Sequence, residues 1–504
     1  MGNMRAKRAK WNILVSLFSQ AVTLICGLIV PRLMIGAFGS EAYGATSSIT
    51  QFLAYITLLE AGIGGVARAA LYKPLAENND YMISAVVSEI KRFFRIIGYI
   101  FFIYVVIIAF FFKDISHLEF MEWGSTVQLV LVISMSAFAQ YFIGISYSVL
   151  LQAAQRTYIT KIISTITTLL NTIAVIILIR MQCSIIFVKF ISSLVFAIKP
   201  VLMFVYVKKK FNIIPVKEKN SKLLEQKWSG LGQHLAYFLH SNTDVAVLTL
   251  LANLKTVAVY SVYNMVVSHI QSITTSFSTG MEAVFGDMIA KDEKDTLRQT
   301  FGYYETLISY ISSILYSTTL VLIIPFIKIY TSNIVDYNYI HPTFAVLIVI
   351  ASLLYCLRMP YHSMIIAGGK FKQTRIAAYG EAVINIVLSL ILVQKLSLVG
   401  VAIGTVAAVM FRYVYYAVYL SKNIFNRNIL LFLKRLTINS VSVASVYGIG
   451  RIVLNAFSIY DYISWLGAAV AIIIVSFVCV SLSTFVFYKK DFGVLLNRIR
   501  PNRN

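Results

Sequence analysis

The sequence predicts an all-α integral membrane protein of about fourteen transmembrane helices. Of its 504 residues, 59% are hydrophobic and only 13% are charged, a composition outside the range of soluble globular domains. The hydrophobic residues form continuous runs of about 20 residues, the length that a helix needs to cross a hydrocarbon core of about 30 Å. Because these runs do not alternate apolar and polar positions, a spanning β-barrel is excluded.

Fourteen apolar segments follow one another along the chain, separated by short loops. We predict membrane spans at residues 12–35, 42–66, 93–112, 124–152, 158–179, 184–207, 229–252, 256–285, 301–329, 343–367, 375–394, 398–420, 432–454 and 463–487. The longest loop, at residues 208–228, is basic and too short to form a domain of its own.

The basic residues are concentrated in alternate loops. The net charge is +23, and with the amino terminus placed in the cytoplasm, 32 of the 44 Lys and Arg residues fall in cytoplasmic segments and only 6 in the opposite loops. This distribution follows the positive-inside rule and predicts an even number of spans with both termini in the cytoplasm. The charge therefore orients the chain in its membrane, and no nucleic-acid partner is expected.

Short sequence matches between the two halves of the chain predict an internal repeat. The dipeptide Lys-Trp at residues 10–11, before the first span, recurs at residues 227–228, before the seventh. Farther along, QAAQRTYITKI at residues 152–162 aligns with AGGKFKQTRI at residues 367–376 at a similar offset. Each copy holds six spans, an even number, so both copies enter the membrane from the same side, as in parallel transporter repeats with a cavity between two lobes.

The repeat divides the chain into four parts. They are an N-terminal six-helix lobe at residues 1–207, a basic cytoplasmic linker at 208–228, a C-terminal six-helix lobe at 229–421, and two additional transmembrane helices with a basic tail at 422–504.

The seventh span carries a stripe of polar residues. Gln233, Tyr237, His240 and Asp244 follow one another at steps of 4, 3 and 4 residues, which places them on one face of a helix. Lipid does not tolerate such a face, so we expect it to contact protein or a watery cavity. One interpretation is a role in ion coupling or substrate contact, and the other is a structural hydrogen bond between helices.

Polar and charged residues also lie within other spans. They are Arg32 on the first span, Glu60 and Arg68 on the second, Arg358 and His362 on the tenth, and Glu381 and Asn385 on the eleventh. Ionisable residues inside a membrane are commonly functional, so we expect a cavity with both carboxylates and cationic groups that accepts an anionic head group. The alternatives are snorkelling of Arg68, interface anchoring of Arg358, and helix packing for Asn385.

Several segments together resemble a family of transporters. They are PRLMIGAFGSEAYG, LLEAGIGGVARA, LLQAAQRT, NTDVAVLTLL followed by VAVYSVYNMV, and AGGKFKQTR leading into INIVLSLILV and LVGVAIGTV. This pattern runs from about residue 10 to residue 425. It resembles the polysaccharide exporters and O-antigen-type (Wzx-like) flippases of the multidrug/oligosaccharidyl-lipid/polysaccharide (MOP) exporter superfamily.

The resemblance implies a multi-pass transporter of the bacterial cytoplasmic (inner) membrane. Such a protein moves an undecaprenyl-diphosphate-linked oligosaccharide to the outer leaflet by alternating access, coupled to an H⁺ or Na⁺ gradient and without a bound cofactor. The implied partners are the lipid-linked oligosaccharide, membrane lipids, and the polysaccharide polymerase and glycosyltransferases of the same synthesis. The implied cavity is cationic, for which Arg32, Arg68, His240 and Arg358 are candidates, and Glu60 stands where family members often have Asp.

Two other functions are compatible with a polytopic membrane protein. A multidrug or cation antiporter of the same superfamily would share the fold, but is expected to have twelve spans and a cavity dominated by carboxylates. A membrane glycosyltransferase or polymerase would need an extramembrane catalytic segment, and the sequence contains no HExxH, GxSxG or phosphate-loop motif. No enzyme is therefore expected. The four cysteines lie inside spans without metal or redox spacing, so no metal site is expected either.

Overall fold

The protein is built from α-helices. This computed structural model describes residues 2–60, 63–214, 216, 242–278 and 280–489, and no β-strand occurs within them. The all-α fold class predicted from the continuous hydrophobic runs is confirmed. A helix satisfies its backbone hydrogen bonds within one segment, which is the condition that lipid imposes.

The described helices follow the order of the predicted spans. The first half contains α1 (Gly2–Ala54), a 3₁₀ segment (Tyr55–Glu60), α2 (Ile63–Ala76), α3 (Asp80–Ser116), α4 (Trp123–Ala139), a π-helical turn (Gln140–Gly144), α5 (Ile145–Ala153), α6 (Thr157–Arg180) and α7 (Ile185–Lys210). The second half contains α8 (Asn242–Leu251), α9 (Leu254–Ser276), α10 (Met281–Ala290), α11 (Lys294–Tyr330), α12 (Pro342–Ala367), α13 (Phe371–Leu396), α14 (Leu398–Asn423), α15 (Leu430–Leu454) and α16 (Tyr462–Phe487).

Within the described ranges, eleven helices are long and apolar enough to cross a membrane. Three differences reduce the fourteen predicted segments to this number. The first two segments form one continuous helical stretch, Leu14–Glu60, and the seventh is described only from Asn242 onwards. The eighth corresponds to α9 and the start of α10, neither of which is among the eleven.

The first two predicted spans meet at Gly39. This residue has a φ of 84° and a ψ of 167°, a conformation outside the helical region that glycine adopts without steric cost. Gly39 therefore kinks α1 between the two predicted spans at residues 12–35 and 42–66.

The chain divides into two compact units. The first comprises Met1–Phe238 with Asn253–Ala258, and the second comprises Leu239–Ala252 with Val259–Asn504.

The core of the first unit is organised around α3. Its residues Ile90, Phe101 and Phe112 are fully buried and belong to one apolar cluster. Leu129 of α4 and Leu150 of α5 pack into the same cluster. Every third or fourth residue of α3 is buried, while large apolar side chains between them are exposed, so one face of this helix packs on the core and the other lies on the surface.

In the second unit, α13 and α14 approach each other closely at two glycines. A Cβ atom on Gly404 would lie 2.6 Å from Ser389 Oγ, and one on Gly400 would lie 2.5 Å from the backbone of Leu392. Small residues at such contacts let the backbones of membrane helices come together. The close approach positions the polar side chains of α13 against those of α14.

The last helix, α16, packs on α11 through hydroxyl groups. The hydroxyls of Tyr310 and Ser481 are 2.8 Å apart, and Thr318 donates a hydrogen bond of 2.8 Å to Ser476. Such bonds between membrane helices contribute about 0.6 kcal/mol each. The polar face of α11 is therefore covered by α16 within the second unit.

Candidate functional site

Asp244, in the described part of α8, is the centre of a buried hydrogen-bond cluster in the second unit. It is 5% exposed. Its Oδ2 atom accepts hydrogen bonds of 2.9 Å from the hydroxyls of Tyr260 and Thr405. Its Oδ1 atom accepts one of 3.4 Å from Asn385 Nδ2. Because a buried carboxylate is costly without such donors, α9, α13 and α14 together stabilise Asp244.

The Asp244 cluster has the ligand chemistry of a small cation site. Asn385 Oδ1 is buried and has no hydrogen-bond partner, while its Nδ2 atom lies 3.0 Å from Thr405 Oγ1. The Thr405 hydroxyl also lies 3.1 Å from the carbonyl oxygen of Val401, although it has only one proton to donate. Carboxylate, amide, hydroxyl and carbonyl oxygens are the ligands that hard cations prefer. These residues fit a monovalent cation, whose charge would balance that of Asp244.

Glu381 forms two buried ion pairs one helical turn before Asn385. It is 0% exposed, and its two carboxylate oxygens accept hydrogen bonds from Arg358 of α12 and Arg412 of α14. Arg412 Nε also donates a hydrogen bond of 2.9 Å to the Tyr416 hydroxyl. A buried charge costs several kcal/mol unless it is paired. Glu381 therefore compensates part of the arginine charge and leaves the three groups with one net positive charge.

His362 lies one turn after Arg358 on α12 and packs against the same ion-pair network. Its ring stacks on that of Tyr416, with centroids 6.1 Å apart and an interplanar angle of 9°. His362 Nδ1 and Arg358 Nε are buried and lack a hydrogen-bond partner in the described structure. The network therefore retains hydrogen-bonding capacity that its own residues do not use.

A third buried carboxylate, Glu305 of α11, is not singled out by the sequence. It is 3% exposed and binds Arg427 at 3.1 and 3.3 Å, while Arg435 Nε lies 3.4 Å from Oε2 and Tyr361 donates to Oε1. The charge count assigns both arginines to a cytoplasmic loop, so it does not reveal this cluster. The available signal is the lone carboxylate within the predicted span at residues 301–329.

In the first unit, Glu60 and Arg68 have different partners. Glu60 ends the 3₁₀ segment and accepts a hydrogen bond from the hydroxyl of Tyr141, in the π-helical turn. Arg68 of α2 donates a hydrogen bond of 2.9 Å to Gln152 Oε1. Each charged group is therefore held by a neutral polar side chain rather than by the other.

Of the other four predicted site residues, the structure describes one. Arg32 lies in α1 directly after Pro31 and is partly buried. Gln233, Tyr237 and His240 lie outside the described residues. Asp244 is therefore the described member of the predicted stripe on the seventh span.

Five of the predicted site residues form a row within the second unit. They are Asp244, Asn385, Glu381, Arg358 and His362. The row combines Asp244, whose donors among the described residues are all neutral, with a carboxylate fixed between two arginines. A carboxylate of the first type has the chemistry to bind a proton or a cation, whereas one of the second type is already paired with cations.

Comparison with known proteins identifies related folds. No protein-family model and no curated protein sequence matches the chain. The lipid II flippase MurJ, in an inward closed conformation, superposes with a TM-score of 0.68 at 17% identity, covering 95% of this chain and 98% of the flippase. The chain has the fold of MOP-superfamily transporters.

Two multidrug transporters support the same assignment of fold. An inward-facing MATE family transporter of the MOP superfamily gives a TM-score of 0.59 at 14% identity, covering 80% of this chain and 95% of the other. The MATE transporter DinF-BH, in complex with rhodamine 6G, gives 0.59 at 15% identity, covering 83% and 97%. All three of these neighbours are transport proteins by their descriptions.

Proposed function

We propose that the protein is a flippase that moves an undecaprenyl-diphosphate-linked oligosaccharide repeat unit across the bacterial cytoplasmic membrane for surface polysaccharide synthesis, as in O-antigen export. The proposal depends on the nearly end-to-end likeness to a lipid II flippase, which covers 95% of this chain. The MATE transporters cover only 80% and 83% of it. The length of the chain therefore agrees better with a lipid flippase than with a drug transporter.

The Asp244 cluster is the proposed site of the coupling ion. Movement of the substrate by alternating access needs a ligand that binds one conformation more tightly than the other. A cation at Asp244 would replace hydrogen bonds from Tyr260 and Thr405 and so change the contacts between α8, α9 and α14. The unpartnered oxygen of Asn385 favours Na⁺ over H⁺, because a metal ion requires several oxygen ligands and a proton does not.

The proposed orientation is supported by the loop charges, and the proposed partners by the resemblance to polysaccharide exporters. The loop charges support two cytoplasmic termini in the inner membrane. A flippase in the inner membrane would receive its lipid-linked oligosaccharide from glycosyltransferases on the cytoplasmic side and deliver it to a polymerase on the other side of the membrane.

A multidrug or cation antiporter is the second candidate function. The two MATE transporters share the fold, and one of them was solved in complex with rhodamine 6G. The two candidates differ in the charge of the cargo, which is an anionic diphosphate lipid in the first and an organic cation in the second.

Reconstituted protein distinguishes the two functions. Proteoliposomes with an imposed Na⁺ or H⁺ gradient are loaded with an undecaprenyl-diphosphate sugar labelled on its head group, and a membrane-impermeant quencher reports transfer between leaflets. We expect gradient-dependent transfer of the lipid and no gradient-dependent uptake of rhodamine 6G. Uptake of the dye without lipid transfer would support the antiporter and reject the flippase.

A further inference from the structure

The first unit contains a cavity that the preceding sites do not include. Its volume is about 340 Å³, and it lies among α1, α4, α7, the 3₁₀ segment and the π-helical turn. Ligand pockets commonly measure about 300 to 1,000 Å³. The cavity is therefore large enough for a small polar group, and its lining combines apolar side chains with hydroxyls and one lysine.

Lys189 of α7 is the charged residue of this lining. No hydrogen-bond or ion-pair partner for its ammonium group occurs within the described part of the chain, and the lining residues include no Asp or Glu. By contrast, Arg358 and Arg412 are paired with Glu381, and Arg68 is bonded to Gln152. A cation inside a membrane is costly without a counter-charge, so Lys189 calls for an anion in the cavity.

Three serines share the cavity lining with Lys189. Ser192 and Ser193 follow Lys189 by three and four residues, which places all three on one face of α7. Ser136 lines the cavity from α4. None of the three hydroxyls has a hydrogen-bond partner in the described ranges, so all three remain available as donors. The Tyr141 hydroxyl, which also lines the cavity, already donates its proton to the carboxylate of Glu60.

We propose that this cavity binds a phosphoryl group, with the Lys189 ammonium as its counter-ion and the serine hydroxyls as hydrogen-bond donors. Lysine binds phosphate as a point charge, and hydroxyl donors satisfy the remaining oxygens. The lining contains Lys189 and no carboxylate, and Glu60, behind the lining, is hydrogen-bonded to Tyr141, so the described lining favours an anion over a cationic drug. The phosphoryl group belongs either to a diphosphate lipid head group or to free phosphate. The lipid source depends on the proposed function, whereas the anion site does not.

Binding to the purified full-length protein tests the site without transport. Native mass spectrometry and isothermal titration in detergent compare undecaprenyl diphosphate, neutral undecaprenol and inorganic pyrophosphate. We expect Lys189→Met to weaken binding of the diphosphate lipid by about tenfold or more, because a charge-assisted hydrogen bond is lost. Lys189→Arg should retain most of the affinity, and Ser193→Ala should lower it less than Lys189→Met.

Lys199→Met is the matched control. It removes the same charge from the same helix at a position outside the cavity lining, and it should change affinity less than twofold. Equal affinity of wild type and Lys189→Met for both phosphate probes would overturn the site, as would an equal loss for undecaprenol. If only pyrophosphate binds in a Lys189-dependent way, the anion site is supported and the lipid is rejected as the source of the phosphoryl group. If only the diphosphate lipid binds in this way, both the anion site and the lipid source are supported.

Discussion

Glu381 and Asn385 lie one turn apart on α13, yet they belong to two different polar clusters. Glu381 is held by ion pairs with Arg358 and Arg412, whereas the Asn385 amide contacts Asp244. The ion pairs fix α13 against α12 and α14 directly beside the carboxylate that is proposed to bind the coupling ion. A change of charge at Asp244 would therefore alter its hydrogen bonds directly beside helices that these ion pairs hold together.

Asp244→Asn tests the coupling site. The substitution keeps the size of the side chain and removes the negative charge, so the cation loses its counter-charge. We expect the gradient-dependent part of lipid transfer in proteoliposomes to fall by about tenfold or more, which corresponds to about 1.4 kcal/mol of lost ion binding. Asp287→Asn makes the same chemical change at an exposed residue paired with Lys291 and should have no effect. Wild-type gradient dependence in Asp244→Asn would remove this residue from coupling.

Thr405→Val distinguishes Na⁺ from H⁺. Valine keeps the shape of threonine but lacks the hydroxyl, which lies 2.9 Å from Asp244 Oδ2. If Na⁺ is the coupling ion, one of its oxygen ligands is lost, so we expect the Na⁺ concentration for half-maximal transfer to rise by about tenfold. Transfer that depends on a pH gradient and is unchanged by Thr405→Val would instead identify a proton as the coupling ion.

Glu381→Gln is expected to destabilise the protein. It leaves two buried guanidinium groups, of Arg358 and Arg412, without a full counter-charge, and breaking a buried pair in this way costs about 3 to 5 kcal/mol. Thermal unfolding in detergent should show a lower midpoint. Adding Arg358→Met should recover part of the loss, because one of the uncompensated charges is removed. Glu77→Gln is the control, because it breaks the exposed pair with Lys73 and should lower the free energy of unfolding by at most about 1 kcal/mol.

The sequence predicts the fold better than it predicts the site, for a physical reason. Hydropathy is a local property, so the spans and the fold class are readable from the chain. Asp244 and Asn385 stand out because ionisable and amide groups are rare in spans, but the partners Tyr260 and Thr405 do not, because hydroxyls are common there. Glu305 is missed since its arginines lie in a segment that the positive-inside rule already explains. Pairing between distant helices is a property of packing, which one sequence does not encode locally.

The Glu305 cluster predicts a graded effect of its two arginines. Arg427 binds both carboxylate oxygens of Glu305 and lies over the ring of Phe301 at 5.2 Å, whereas Arg435 Nε lies 3.4 Å from the Oε2 oxygen of Glu305. Arg427→Met should therefore lower the unfolding midpoint more than Arg435→Met does. In hydrogen exchange, Arg435→Met should raise exchange mainly in α15, where this residue lies. Equal midpoints for the two variants would show that bidentate pairing does not stabilise this end of the second unit.

Gly404→Ala tests whether the Asp244 cluster depends on the close contact of α13 and α14. Alanine favours a helix over glycine by about 1 kcal/mol, so propensity alone predicts stabilisation. At Gly404, however, the added Cβ would lie 2.6 Å from Ser389 Oγ and 3.0 Å from its backbone nitrogen, so the two helices must separate.

Separation of the helices would move Thr405 Oγ1 away from Asn385 Nδ2, from which it lies 3.0 Å. We therefore expect Gly404→Ala to lower both the unfolding midpoint and the apparent ion affinity. Gly448→Ala is the matched control on α15, where a Cβ meets no atom within 4 Å, so this variant should be neutral or stabilising. If Gly404→Ala unfolds at a lower temperature but retains wild-type ion affinity, the helix contact stabilises the fold without shaping the ion site.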